Sequence, residues 1–280
     1  MKSILYATDC SKHDTDTLQY AFEMCQQLKA SLTLLHIYSI PPVHLSTIRS
    51  HKHLTSNIHD EQLKVLKDYA TKQLAQSSNK VEINFEVVEN ISVSEGILSK
   101  IEEVSPDILL VGMKDEHTAR GVFSGSIAKA LLESVNCSLL IVPSNIKFKN
   151  IGSILYASDF EEDDIIAIEK LVELAQPFNA KINIVHIAAK DEYPEEQLME
   201  WFKELLQQKV TYQKISFEVI SNDKIYEGLR NYISTNNPDI IALLEREEIG
   251  FFNKLFHKDL TKKFESNISI PMLTFNQAYL

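Results

Sequence analysis

The chain has 280 residues and a formal net charge of -11, with 44% hydrophobic and 24% charged residues. That length accommodates two cores of about 140 residues each, and the apolar content excludes a disordered chain. The acidic excess argues against nucleic-acid binding, because a surface that tracks phosphates needs clustered Lys and Arg.

The charge is uneven. Residues 1–149 hold 15 Lys and Arg against 17 Asp and Glu, whereas residues 150–280 hold 13 against 22. A polyanionic ligand therefore meets less repulsion in the first half. Cys10, Cys25 and Cys137 are odd in number and irregular in spacing, so they make neither a disulfide framework nor a zinc site and suit a reducing compartment. No apolar run approaches the roughly 20 residues of a membrane span, and Ser3–Thr8 already reads as a strand rather than a signal core. The expectation is a cytoplasmic protein without a membrane partner.

In chain order, short Ile-, Leu- and Val-rich runs at Ser3–Thr8, Leu32–Tyr38, Val81–Val88, Asp107–Gly112 and Ser138–Val142 read as strands. The last two are nearly all apolar, as strands covered on both faces must be. Helical spacing fills the intervals. Thr15–Lys29 lines up Leu18, Ala21, Phe22, Cys25 and Leu28 on one face, and Ile58–Ala75, Ser94–Val104 and Ser126–Ser134 follow suit. In the second half, strands are expected near 152–158, 181–188, 215–221, 239–245 and 270–275.

The halves repeat one another. Ile4-Leu5-Tyr6-Ala7-Thr8-Asp9 returns as Ile154-Leu155-Tyr156-Ala157-Ser158-Asp159, and Leu34-Leu35-His36-Ile37 as Ile184-Val185-His186-Ile187, both at an offset of 150. Glu95-Gly96-Ile97 then answers Glu227-Gly228-Leu229, and Pro106-Asp107-Ile108 answers Pro238-Asp239-Ile240, at an offset of 132. The first copy therefore carries about 18 extra residues, placed in the polar, histidine-rich stretch Pro41–His59. The fold class expected is α/β, as two tandem doubly wound domains with five-stranded parallel sheets. Their bounds are 1–146 and 150–280, with the polar link Ser144–Asn150 around the junction. Ser138–Val142 and Ile270–Phe275 are candidates to pair within the chain as a dimer would, and a further homodimer is left open.

Ligands of such sheets bind beyond the carboxyl ends of the strands. Of the seven glycines, Gly112, Gly121 and Gly125 fall between the fourth strand and fourth helix. Gly125-Ser126 opens that helix, where free amides and the dipole favour an anion. The rival reading is an ordinary flexible loop with Ser126 as a helix cap.

The Ala7-Thr8-Asp9 end of the first strand, His36-Ile37 ending the second and Gly112-x2-Asp115-x9-Gly125-Ser126 together resemble the universal stress protein family, over nearly the whole chain and twice. The resemblance implies the adenine nucleotide alpha hydrolase-like fold and a site for ATP or a related adenine nucleotide in the first domain, with Mg²⁺ present only alongside the nucleotide. By the same resemblance Ala7, Thr8 and Asp9 border the nucleoside, and Ile37 offers backbone groups to adenine. Val111 and Gly112 line the ribose, and Gly125, Ser126 and Ile127 hold phosphates. Asp115 stands where nucleotide-binding members carry glycine, and its carboxylate repels a triphosphate unless a cation intervenes; Lys114 and Arg120 lie close in sequence.

The second half lacks the Gly-Ser pair, having His257-Lys258 in its place, and adds Phe251, Phe252, Glu245, Glu247 and Glu248 to that loop. It reads as a degenerate, structural copy. Elsewhere, His44, His51, His53 and His59 suggest either a metal-binding His-x-His or exposed loop histidines, the latter being commoner. Cys10 reads as a small residue packed at a strand end, His36 and His186 as hydrogen-bonded structural residues, and Glu161–Asp164 as the acidic start of a helix. No catalytic constellation is present; a weak ATPase is the most the sequence offers. The function expected is a nucleotide-responsive stress protein without substantial catalysis. The alternative is a nucleotide-free scaffold with both sites vestigial and an unknown protein partner.

Overall fold

The computed structural model describes residues 1–11, 14–40, 51–75, 81–113, 125–144, 146–188, 195–246 and 270–280. By contact the chain divides into two compact units. One comprises Lys2–Val135 with Val142–Phe148; the other comprises Met1, Asn136–Ile141 and Lys149–Leu280.

The first unit alternates β1 (Ser3–Ala7), α1 (Thr15–Leu28), β2 (Ser31–Tyr38), α2 (His51–Leu74), β3 (Ile83–Glu89), α3 (Val93–Val104), β4 (Ile108–Gly112) and α4 (Gly125–Ser134). Its strands lie in the order β3-β2-β1-β4, with β1 parallel to β2 and β4, and β2 parallel to β3. The apolar stripe foreseen for α1 is buried, with Leu18 and Ala21 fully inaccessible. β1 and β4 are buried almost throughout, as befits strands flanked on both sides.

The second unit contains β5 (Ser138–Val142) apart from its last residue, then β6 (Ser153–Ala157), α5 (Glu162–Phe178), β7 (Lys181–Ala188), α6 (Glu195–Lys209), β8 (Ile215–Ser221), α7 (Ile225–Asn236), β9 (Ile240–Glu245) and β10 (Met272–Asn276). Its order is β5-β10-β9-β6-β7-β8. The expected pairing of the last strands is present: Leu273 faces Leu140 in an antiparallel ladder. Every other described pair in the unit is parallel.

The duplication extends to individual atoms. Asp107 Oδ2 accepts from the backbone N–H groups of Lys2 (2.6 Å) and Ser3 (2.9 Å), clipping β4 to the start of β1. Asp239 does the same with Gly152 (2.8 Å) and Ser153 (2.9 Å). A Cβ on Gly96 would come within 3.0 Å of Ile37, and one on Gly228 within 2.9 Å of Ile187. Each glycine lets a helix settle onto its strand. Lys67 lies over Phe85, and Lys203 over Phe217.

The largest difference from the expected boundaries falls on α2. α2 begins at His51, not Ile58, so His51, His53 and His59 belong to a helix. The extended segment on which a His-x-His arrangement would rest is helical from His51. His44 lies outside the described residues. Among the described residues no group of three or more His, Cys, Asp or Glu is suited to a metal, and no helix is long and apolar enough to cross a membrane.

Candidate functional site at the strand ends

The carboxyl end of β1 is tied down by a short relay. Thr8 is buried; its Oγ1 donates to Asp14 Oδ2 (2.7 Å) and accepts from the Cys10 N–H (3.0 Å). That second bond holds Cys10 at φ 57°, a left-handed conformation that turns the chain sharply away from the strand. Asp9 Oδ1 accepts from the Ser11 N–H (2.9 Å). His36 Nδ1 donates to the Thr8 carbonyl (2.9 Å), so this histidine is a structural, hydrogen-bonded residue.

Further features define this strand end. The β1–β2 ladder ends at Ala7 opposite Leu35, with the Thr8 N–H bonded to the Leu35 carbonyl (2.9 Å). Alternation along a strand turns the N–H and C=O of Ile37, two residues on, to the same side, past the end of β1. Val111 is fully buried, so its side chain packs in the core. Gly112 has a reason for lacking a side chain that sequence reading missed: a Cβ there would lie 2.6 Å from Asp14 Oδ1 and 2.8 Å from Thr17 Oγ1. The start of α1 occupies that space.

Asp14 is the central group that sequence reading passed over. Burial pushes its pKa up to about 6, against the lowering effect of hydrogen bonds from Tyr6 and Thr8. Cys10 is likewise raised to about 12, first by burial and then by Asp9 and Asp14, which keeps it an inert thiol. From α2, the buried Tyr69 adds its phenol to this cluster, its own pKa raised by burial and by Asp14. The signal was available, since Asp14 recurs as Asp164 at the offset of 150.

Gly125 and Ser126 begin α4, and Ile127 follows as a half-buried residue of its first turn. Lys114, Asp115, Arg120 and Gly121 lie outside the described residues, as do Glu247–Lys258 in the second half.

The second unit repeats the relay and then fills it. Ser158 Oγ donates to Asp164 Oδ2 (2.7 Å) and accepts from the Phe160 N–H (2.9 Å), while His186 Nδ1 donates to the Ser158 carbonyl (2.8 Å). Phe160, at φ 59°, occupies the place of Cys10. Its ring is 1% exposed and packs 5.0 Å from His186 and 5.2 Å from Phe202. Beyond β9, Arg246 reaches back to Asp159 (3.2 Å), Asp164 (3.3 Å) and Glu161 (3.4 Å). Burial opposes the guanidinium charge, but the three carboxylates outweigh it and hold its pKa above the ordinary value. The acids at the start of α5 thus serve both the helix terminus and this arginine. An aromatic plug and an internal cation occupy the strand ends of this unit.

The model of the universal stress protein family matches residues 1–143. The chain belongs to the universal stress protein family. No curated protein matches it. Among solved structures, a universal stress protein from Archaeoglobus fulgidus is similar at 13% identity, covering 98% of both chains with a TM-score of 0.70. A functionally unknown protein from Pseudomonas aeruginosa is similar at 11% identity, over 99% of this chain and 92% of that one, with a TM-score of 0.61. The cytoplasmic domain of a prokaryotic cation chloride cotransporter covers 100% of this chain and 97% of its own, at 11% identity and a TM-score of 0.56. At such identities these likenesses speak for the tandem universal stress protein fold alone.

Proposed function

We propose that this universal stress protein is nucleotide-responsive, binding ATP or a related adenine nucleotide in its first unit without substantial catalysis, with Mg²⁺ only alongside the nucleotide. The observation that carries this reading is the contrast between the two strand ends. Phe160 and Arg246 fill the second, whereas the half-buried Cys10 takes the aromatic's place in the first. The residues there fit the group. Ile37 turns main-chain donor and acceptor beyond β1, as recognition of an adenine edge requires, and α4 opens on Gly125, whose first-turn amides suit phosphate.

The chemistry left to the chain is binding and orientation. Ile37, with the backbone of Ala7, Val111 and Gly112, would border the nucleoside; Gly125, Ser126 and Ile127 would hold phosphates. Thr8 supports this arrangement through its relay to Cys10, and Asp9 stands beside it with one oxygen on Ser11. A scaffold without nucleotide is the second reading. It is favoured by the Thr8 carbonyl and N–H being bonded within the protein, and by Asp115 in the glycine motif.

Cys10→Phe tests the choice by importing the plug of the second unit at a backbone angle that Phe160 already tolerates. Nucleotide released from the denatured wild type and seen by mass spectrometry, but lost from a folded C10F variant, supports binding. A wild type that neither carries nor takes up nucleotide sinks it in favour of the scaffold.

A further inference from the structure

The second unit carries an apolar ridge larger than the lone exposed Val65 (44%) at the equivalent place among the described residues of α2. On α6, Leu198 is 41% exposed and Trp201, the sole tryptophan of the chain, is 43% exposed; the half-buried Leu205 continues the ridge. Spacings of three and four residues place the three along one flank of the helix. The adjoining face of α6 is anchored: Phe202 and Leu206 are buried, so the exposure does not reflect a misplaced core face.

The internal repeat supplies the comparison. Lys203 over Phe217 matches Lys67 over Phe85, and buried Phe202 and Leu206 match buried Leu66 and Ala70. In that register Leu198 stands where α2 has Gln62, Trp201 where it has Val65, and Glu200 where it has Lys64. The second copy has therefore gained apolar area and reversed a charge on the same helix. Lys203 is shared with Glu200 at 2.6 Å and Lys209 closes the last turn, so the four acids of α6, Glu195, Glu196, Glu200 and Glu204, outnumber its two cations. Residues 150–280 as a whole carry 22 acids against 13 bases.

Large exposed apolar side chains in an acidic setting mark a docking site, and aromatic anchors of this kind dominate binding energy where they are covered. We propose that the Leu198–Trp201–Leu205 flank of α6 docks a basic amphipathic helix of a protein partner, its apolar side on Trp201 and its Lys or Arg residues on Glu200 and Glu204. The acidic rim disfavours an anionic membrane surface, and the proposal is independent of whether the first unit binds nucleotide.

Trp201 provides the readout. The full chain is titrated with a synthetic Leu/Lys amphipathic peptide of about four helical turns, following tryptophan emission. The expected result is a saturable blue shift that weakens at least about tenfold in Leu198→Glu and in Glu200→Lys/Glu204→Lys, and weakens with salt. Leu198 is exposed, so circular dichroism of the variants should match the wild type. The charge-reversed control Asp68→Lys/Glu102→Lys, remote from α6 in sequence, should leave the affinity unchanged. No blue shift, equal binding of a Leu/Glu peptide, or equal weakening in the control overturns the proposal. So does a shift that grows with protein concentration alone, which would assign the ridge to a second copy, or one produced by phosphatidylcholine vesicles.

Discussion

Arg246 Nη2 lies 3.3 Å from Asp164 Oδ1, an acid that is 1% exposed and tied to Tyr156 and Ser158. This pair joins the end of β9 to the start of α5 and closes the second strand end with a charge that belongs to the protein itself. Its equivalent acid in the first unit, Asp14, takes its described bonds from neutral groups such as Thr8. The divergence of the two copies is concentrated in that difference.

Removing the arginine should expose its energetic role. Arg246→Met leaves Asp164 and Asp159 without their cation in a largely buried setting, and the expected loss is about 3 kcal/mol at neutral pH. Urea unfolding at pH 7.5 and pH 5 checks it. The loss should shrink at the lower pH, because burial already raises Asp164 and, without Arg246, the acid takes up a proton more readily still. An equal loss at both pH values would mean that the guanidinium contributes by packing alone.

Asp14 makes the opposite prediction. Its folded pKa of about 6 lies above the ordinary 3.8, so between those values the native state binds more protons than the unfolded one. Stability therefore falls as pH rises through this window and stays lowered above it, by about 3 kcal/mol at most. Asp14→Asn should be more stable than the wild type by about 1–3 kcal/mol at pH 7.5 and show no advantage near pH 4. Thermal melts across pH 4 to 8 measure this; a variant destabilised at every pH would show that the carboxylate is needed as an anion.

The glycine seats can be tested against each other. Gly228→Ala would set a Cβ 2.9 Å from Ile187 Cγ2, and Gly96→Ala one 3.0 Å from Ile37 Cδ1. Each should cost about 1–3 kcal/mol through overpacking. In a double-mutant cycle, Gly228→Ala with Ile187→Ala should cost less than the two single changes together. Strict additivity would place the strain elsewhere.

Much of this was legible because the sequence repeats. Ten strands, the α1 stripe and the pairing of Ser138–Val142 with the last strand all follow from apolar runs and their order. α2 was read as starting late because His51–Asn57 is polar and weakly periodic, and nothing local distinguishes such a first turn from a loop. Gly112, which the family resemblance sets beside a ribose, also has a need that the sequence does not state, since its bare Cα faces Asp14 and Thr17; a glycine states that space is needed but not by what. Arg246 could not be read at all. Its carboxylates lie more than 80 residues earlier, and only the β6–β9 pairing brings the two segments to one end of the sheet.

Calorimetric titration of the ligand-free full chain with ATP and Mg²⁺ tests the asymmetry of the two strand ends most directly. One nucleotide per chain is expected, lost in Cys10→Phe and retained in Arg246→Met. Silence of the wild type, two nucleotides per chain, or binding that survives Cys10→Phe and vanishes in Arg246→Met would contradict it.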